Sequence, residues 1–169
     1  MSSLVLTGDT SGAITVSAPA VAGTNTLTLP AITATLNVQG PAFSAYQSTL
    51  QTLSSSTNTK ILFQTEEFDT NSNFASSTFT PTVAGYYQIT GAIRIGGSAT
   101  QVRTFIYKNG TAYKLGTDIN SCFSAITSTL VYLNGSTDYV EFYAVFATGQ
   151  NTSAAASETW FNGCLIRGA

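Results

Sequence analysis

The sequence contains no histidine. Histidine is the commonest general base and metal ligand near neutral pH, so a Ser-His-Asp or Cys-His catalytic arrangement within one chain is excluded and a zinc site is unfavourable. Charge is also scarce, because Asp, Glu, Lys and Arg make up 8% of the 169 residues, whereas about a quarter is usual. The six basic residues are scattered, and nucleic-acid binding requires a clustered basic surface. We therefore expect no nucleic-acid partner, and the neutral polar composition favours a long-lived assembled particle over a cytosolic enzyme.

Cysteines are few, and long apolar segments are absent from the sequence. The chain starts without a basic segment or a long apolar core, which predicts no secretory signal and synthesis in the cytoplasm. No apolar run is long enough to span a membrane, so we expect no membrane insertion. The two cysteines, Cys122 and Cys164, are then predicted to be reduced thiols, small residues buried in strands.

The acidic residues offer few sites for catalysis or for a metal. Glu66, Glu67 and Asp69 lie close together, but a glycosidase needs two facing carboxylates, and acidic residues in a turn are usually solvated. We therefore predict that the protein is not an enzyme. The same cluster with Asp118 offers calcium oxygen ligands, but no spacing requires it, so we expect no cofactor and keep calcium as an alternative.

Residues 1–40 differ in composition from the rest, because they contain no aromatic residue and almost no charge. They hold short apolar–polar–apolar triplets separated by small-residue turns: Ile14-Thr15-Val16, Leu27-Thr28-Leu29 and Leu36-Asn37-Val38. Strands this short cannot close a core alone. The segment is therefore either flexible or wound together with other chains, and the alternation favours the second. We predict a β-rich stem or attachment arm over residues 1–40.

Residues 41–169 predict an all-β domain. Period-two alternation bounded by turn residues indicates the following strands: 42–48, 60–66, 74–80, 86–96, 101–109, 112–118, 121–133, 138–148 and 158–167. Asn109-Gly110 and Asn134-Gly135-Ser136-Thr137 predict hairpin turns. Asn162-Gly163 lies inside an apolar run and predicts a close backbone approach within a strand. Many short strands with short turns are typical of a sandwich or jelly roll.

Four places in this domain resemble the globular C1q/TNF-like jelly roll. They are Pro41-Ala42-Phe43-Ser44-Ala45, Phe79-Thr80-Pro81 with Gly85-Tyr86-Tyr87, Tyr107-Lys108-Asn109-Gly110, and Phe161-Asn162-Gly163-Cys164-Leu165-Ile166. The family's collagen repeat is absent before residue 41. Family members are characteristically trimers, so the resemblance implies a trimeric antiparallel jelly-roll sandwich.

Two segments near the start are similar to shaft segments of bacteriophage tail fibres: Gly8-Asp9-Thr10-Ser11-Gly12-Ala13-Ile14-Thr15-Val16 and Ala20-Val21-Ala22-Gly23-Thr24-Asn25-Thr26-Leu27-Thr28-Leu29-Pro30. The leading hypothesis is a homotrimeric phage fibre, located in the virion and attached to other virion proteins through residues 1–40. Its C1q-like head would recognise a host-surface glycan or protein. One alternative is a capsid decoration protein or head fibre without an adhesive role. Another is a secreted C1q-like ligand, which a disulfide between Cys122 and Cys164 would favour.

Loops on a rigid scaffold usually carry recognition. Because successive strands of an antiparallel roll reverse direction, the strand order predicts which end of the domain faces outward. Counting strands back from the C-terminus groups the connections 67–73, 96–100, 117–121 and 148–158 at one end. The turns at 81–85, 109–110 and 134–138 lie at the other end, together with the start of the first strand and the end of the last. This second end is predicted to face the stem, so the first group of connections faces outward. The predicted receptor-binding residues are Asn71, Asn73, Gly97, Ser98, Asp118, Asn120, Gln150 and Asn151.

Six tyrosines could also stack on sugars if exposed, although filling the sandwich or trimer interface is the favoured interpretation: Tyr46, Tyr107, Tyr113, Tyr132, Tyr139 and Tyr143.

Overall fold

The structure is a computed structural model that describes residues 3–7, 11–17, 24, 40–99 and 101–169. These residues contain no helix, and therefore none long and apolar enough to cross a membrane. The chain divides into two compact units, Met1–Thr35 and Leu36–Ala169.

The first unit contains an antiparallel pair, β1 (Ser3–Thr7) and β2 (Ala13–Ser17). Strand β2 includes the predicted triplet around Thr15, whereas β1 was not predicted. Val5, Leu6 and Val16 are each more than half exposed, and a two-stranded hairpin with an uncovered apolar surface is marginal at best in water. The other two triplets, at residues 27–29 and 36–38, lie outside the described residues.

The second unit is a sandwich of antiparallel sheets. Its strands are β3 (Ala42–Tyr46), β4 (Thr52–Leu53), β5 (Thr59–Lys60), β6 (Thr65–Asp69), β7 (Phe74–Ala75), β8 (Thr78–Phe79), β9 (Gly85–Ala99), β10 (Val102–Lys108), β11 (Thr111–Ile119), β12 (Cys122–Leu133), β13 (Val140–Phe146), β14 (Gln150–Asn151) and β15 (Trp160–Gly168). A five-stranded sheet has the order β12-β9-β15-β3-β6. A six-stranded sheet has the order β11-β10-β13-β8-β7, with β5 on β13, and β4 pairs with β14. The predicted all-β jelly roll is confirmed.

Aromatic rings from both sheets fill the space between them. Phe43 of the five-stranded sheet stacks on Phe79 of the six-stranded sheet with ring centroids 4.3 Å apart, and Phe161 lies edge-on to it at 5.0 Å. Gly91 makes room for this packing, because a Cβ there would lie 2.4 Å from the Phe142 ring. Gly163 lies within β15, where a Cβ would come within 3.0 Å of the Gln88 carbonyl. The close approach predicted at Asn162-Gly163 is confirmed.

One predicted hairpin is confirmed and the other is corrected. Asn109 and Gly110 have φ of 51° and 76°, the pair of positive values that a type I′ turn needs between β10 and β11. Asn134 also begins a turn, because its Oδ1 accepts hydrogen bonds from the backbone amides of Ser136, Thr137 and Asp138. However, that turn carries the chain from β12 in one sheet to β13 in the other, so it is not a hairpin.

The prediction of one strand over residues 74–80 is wrong, because these residues form a hairpin of two short strands, β7 and β8. Ser76 and Ser77 form its turn with φ of 50° and 60°. The Ser77 hydroxyl is buried and accepts a hydrogen bond from the Phe63 amide at 2.8 Å, which holds the turn in place. The predicted strand 60–66 is likewise divided between sheets, because β5 pairs with β13 and β6 pairs with β3.

Candidate functional site

The strand registers define two ends of the sandwich. At the first, which we call the chain-entry end, Gly85 pairs with Leu133 and Gly168, and Ala42 begins β3 two strands away. At the opposite end, the loop end, Ala99 pairs with Cys122. The predicted grouping of the first strand's start, the last strand's end and the 81–85 turn at one end is confirmed.

Six of the eight predicted receptor-binding residues lie at the loop end. Gly97 and Ser98 are among the last residues of β9, and Asp118 and Asn120 lie where β11 ends. Gln150 and Asn151 form β14. The structure therefore places these six where the sequence predicted them; their role in binding stays a prediction.

Asn71 and Asn73 are the exceptions, because the structure places them at the chain-entry end. Asp69 pairs with Phe43 near the start of β3, so the loop that follows lies far from Ala99. Asn73 is buried, and its Oδ1 accepts a hydrogen bond from the Thr82 amide at 3.1 Å. The prediction failed because the β7–β8 hairpin enters and leaves at the same end, whereas one strand over 74–80 would have crossed the sandwich.

Hydrogen bonds connect several residues of the loop end. Asn151 Oδ1 accepts a hydrogen bond from Thr52 Oγ1 at 2.8 Å, and Gln150 Oε1 lies 3.4 Å from where a Cβ of Gly97 would be. Asp118 Oδ1 accepts a hydrogen bond from Gln101 Nε2 at 2.9 Å. Sequence reasoning missed Gln101 because nothing in a single strand shows which side chain lies across from it.

A groove opens next to Gln101 on the outer face of the six-stranded sheet. It has a volume of about 250 Å³, and we call it the Arg103 groove. The side chains that matter for its chemistry are Ser56, Asn58, Gln101, Arg103 and Phe105. Arg103 and Phe105 alternate with the buried residues of β10, so their side chains point away from the core. The groove is therefore polar, with one aromatic wall.

A second groove of about 380 Å³ lies on the outer face of the five-stranded sheet. We call it the Trp160 groove, after the only tryptophan of the chain. Arg94 Nη1 lies 3.3 Å from Glu158 Oε1, and Ser153 Oγ donates a hydrogen bond to the other Glu158 oxygen. Both charged groups of this groove are thus already paired with each other.

The same sheet exposes large apolar side chains on its outer face, and all but Ile126, which also lines the Trp160 groove, lie towards the chain-entry end. They are more than 40% exposed and make up what we call the apolar sheet face: Tyr86, Ile126, Leu130, Tyr132 and Ile166. A shallow cavity of about 500 Å³ lies between Tyr86, Leu130 and Ile166. Few charged side chains interrupt this surface, which makes it suitable for contact with another protein surface.

The predicted tyrosine candidates fall into different environments. Tyr107 and Tyr143 are half-buried and stack with ring centroids 3.9 Å apart, while Asn58 Nδ2 donates to the Tyr107 hydroxyl at 3.1 Å. Burial raises the pKa of Tyr143, and the nearby Glu141 carboxylate raises it further. Tyr46 and Tyr139 are also half-buried. Tyr113 and Tyr132 are exposed.

The acidic cluster does not assemble around Asp118 within one chain, because Asp69 lies at the chain-entry end and Asp118 at the loop end. Asp69 instead accepts a hydrogen bond from the Phe74 amide at 2.7 Å, and Glu67 accepts one from Ser44 at 2.6 Å. Within the described ranges, no three His, Cys, Asp or Glu side chains come together as a metal site would require. Glu66 is exposed.

The predicted burial of both cysteines is wrong: Cys164 is exposed and Cys122 is half-buried, although both lie in strands. Cys122 pairs with Ala99 and Cys164 with Gln88, eleven residues apart on β9. At about 3.3 Å per residue this separation is roughly 36 Å, whereas a disulfide needs Cα atoms within about 7 Å. An intrachain disulfide, which the secreted-ligand alternative would favour, does not fit this fold.

No protein-family model and no curated protein matches the sequence. Solved structures do match the fold. Murine APRIL has a TM-score of 0.62 and 9% identity over 76% of this chain and 100% of its own. The globular domain of zebrafish complement 1qA has a TM-score of 0.58 and 19% identity over 78% of this chain and 100% of its own. Eiger TNF from S. frugiperda has a TM-score of 0.55 and 10% identity over 77% and 94%.

At these identities the likeness shows the fold alone, a C1q/TNF-like jelly roll, as the sequence motifs predicted. No structure among these three shows a phage fibre stem, so the virion interpretation stays a prediction.

Proposed function

We propose that this protein is a non-enzymatic virion structural protein that assembles as a homotrimer. The observation that carries the proposal is the apolar sheet face. In a chain with only 8% charged residues, five large apolar side chains share one side of one sheet and are each more than 40% exposed. An exposed apolar patch such as the one around Tyr86, Leu130 and Ile166 marks an interaction surface, and identical copies are the commonest partners in soluble assemblies.

The number of copies comes from the resemblance to the C1q/TNF-like family, whose members are characteristically trimers. Three copies around one axis would each present the same face to a neighbour. The six-stranded sheet forms the other side of each sandwich and would then face outward.

The N-terminal hairpin supports the attachment role of residues 1–40. Its exposed aliphatic side chains need a cover that the two strands do not supply themselves. Other copies of the stem, and the virion proteins to which it attaches, provide that cover in this proposal.

The loop end of the head carries recognition of a host-surface glycan or protein in this proposal. Six predicted residues and the Arg103 groove lie there or next to it. Each site is shallow, and three sites on one axis raise the overall avidity without any new contact.

The assembly is tested by the mass of the full chain in solution at micromolar concentration. We expect three times the protomer mass of 17.7 kDa, and a stable monomer would contradict the proposal. The virion role is tested by labelling the protein on purified particles. Label on the tail supports the adhesive fibre, label on the shell identifies a decoration protein or head fibre instead, and no label on either rejects the virion role.

A further inference from the structure

We infer that the Arg103 groove binds a neutral saccharide, with one sugar ring lying against Phe105. The inference deepens the recognition role proposed above and rests on it for its biological meaning. The binding itself is a property of the folded head and is measured independently.

The aromatic wall of the groove is held rigidly. Phe105 lies edge-on to Tyr107, with centroids 6.2 Å apart and an angle of 87° between the rings. Tyr107 in turn stacks on Tyr143 at 3.9 Å, and Asn58 donates a hydrogen bond to its hydroxyl. An aromatic ring fixed in this way offers its apolar surface to the C–H side of a sugar without losing side-chain freedom on binding.

Donors and acceptors lie next to that ring. Arg103 is directly opposite Asp118 in the β10–β11 register, and Gln101 Nε2 donates to Asp118 Oδ1 at 2.9 Å. Each sugar hydroxyl both donates and accepts hydrogen bonds, so it needs both kinds of partner within reach. The guanidinium supplies several donors in a planar fork, while the Ser56 hydroxyl and the side-chain amides of Asn58 and Gln101 supply acceptors.

The charge balance favours a neutral sugar over an anion. The ion pairs of the described residues join Lys60 to Glu141, Arg94 to Glu158 and Lys108 to Asp138. Arg103 belongs to none of them and keeps its donors available, yet the Asp118 carboxylate across the strand offsets its charge. A phosphate or acidic sugar would be repelled by this neighbouring negative charge, whereas a neutral hydroxyl would not.

The size and place of the groove fit one ring of a longer glycan. Its 250 Å³ lies below the usual range of about 300–1,000 Å³ for enclosed ligand pockets, so the rest of the glycan would lie over the exposed surface. The groove lies on the six-stranded sheet, opposite the apolar sheet face. It therefore stays accessible when copies assemble through that face.

The test is saturation-transfer NMR on the full chain with four neutral sugars as probes: D-glucose, D-galactose, D-mannose and N-acetyl-D-glucosamine. At about 10 mM probe, binding with a Kd on the order of millimolar is detectable.

We expect transfer to at least one sugar, and affinity reduced about tenfold in Arg103→Ala, because a charged hydrogen-bond partner is lost. Arg103 is exposed, so the variant keeps the fold, which circular dichroism checks. Phe105→Ala tests the aromatic wall. Arg94→Ala, which removes an exposed arginine from the Trp160 groove, is the matched control and should bind normally.

Several results would overturn the inference. They are no transfer to any of the four sugars, transfer that Arg94→Ala abolishes and Arg103→Ala does not, or quenching of Trp160 fluorescence by the bound sugar. Binding only of D-glucuronate, of inorganic phosphate or of an acidic peptide would also overturn it. Mass is measured on the same sample: a trimer that binds no sugar rejects this inference alone, whereas a monomer rejects the proposed assembly.

Discussion

Tyr86 and Tyr132 face each other across β9 and β12, with ring centroids 5.5 Å apart, and both are more than 40% exposed. The next pair along the same strands, Tyr87 and Val131, is fully buried. The five-stranded sheet thus has a completed core on one side and an uncovered apolar surface on the other. Covering that surface by identical copies leads to the first two predictions.

A charge within the apolar sheet face should dissociate the assembly. Leu130 is 50% exposed, and Leu130→Asp would place a carboxylate against apolar partners. We expect a loss of at least about 2 kcal/mol of association free energy, more than tenfold in the dissociation constant. Sedimentation equilibrium measures it. Leu115, in β11 of the other sheet and 52% exposed, provides the control: if Leu115→Asp dissociates the protein equally, the interface is elsewhere.

The thiol of Cys164 should report the same interface. Cys164 and Leu130 both pair with Gln88, from opposite sides of β9, so covering Leu130 covers the exposed thiol as well. In a Cys122→Ser background, we expect maleimide to modify Cys164 slowly in the assembled protein and quickly in Leu130→Asp. Equal rates in the two proteins would show that the assembly leaves this surface open.

Gly91 should not tolerate a side chain, whereas Gly96 in the same strand should. A Cβ at Gly91 would lie 2.4 Å from the buried Phe142 ring, and one at Gly96 would meet nothing within 4 Å. We expect Gly91→Ala to lower the free energy of unfolding by about 1–3 kcal/mol. Gly96→Ala should leave it nearly unchanged. Urea unfolding of both variants compares them, and equal effects would contradict the sheet packing described here.

Stability should fall at alkaline pH because of Tyr87. Burial raises the pKa of Tyr87 from 10.0 to about 12, and its hydroxyl donates to the Val83 carbonyl at 2.6 Å. Since the folded pKa lies above the unfolded one, this stabilisation is fully present below pH 10 and is lost as the pH rises through 12.

In Tyr87→Phe, we expect about 1 kcal/mol less stability at neutral pH, because one hydrogen bond is lost, and a shallower decline above pH 10. Thermal unfolding as a function of pH measures both. Tyr113→Phe changes an exposed hydroxyl and should follow the wild-type curve. If the decline were as steep in Tyr87→Phe, another group would be responsible for it.

Local patterns predicted most of the strands because alternation and turn residues act over a few residues. The long strands β9, β12 and β15 lie where the alternation indicated, and Asn109-Gly110 forms its hairpin because both residues accept positive φ. The hairpin at Ser76 and Ser77 escaped prediction, since serine is no strong turn signal and the turn depends on the distant Phe63 amide.

Part of the candidate site was likewise predicted from local sequence, and part depended on strand pairing. Asp118 was predicted from its place in a loop, but its surroundings were not, because Gln101 donates to it from the start of a neighbouring strand and Arg103 lies opposite it in the register. The position of Asn73 was also a matter of pairing, and the extra reversal at the serine hairpin moved it to the chain-entry end.

The residues alone specified an all-β chain without histidine-based chemistry, because side-chain type and period-two alternation are local properties. Only the tertiary structure decided which side of β12 is core. Ala125, Val131 and Leu133 are buried while Ile126, Leu130 and Tyr132 are exposed, and both sets are apolar enough to be buried. The choice depends on strand pairing and on the opposing sheet, and it leaves one apolar surface uncovered for a partner.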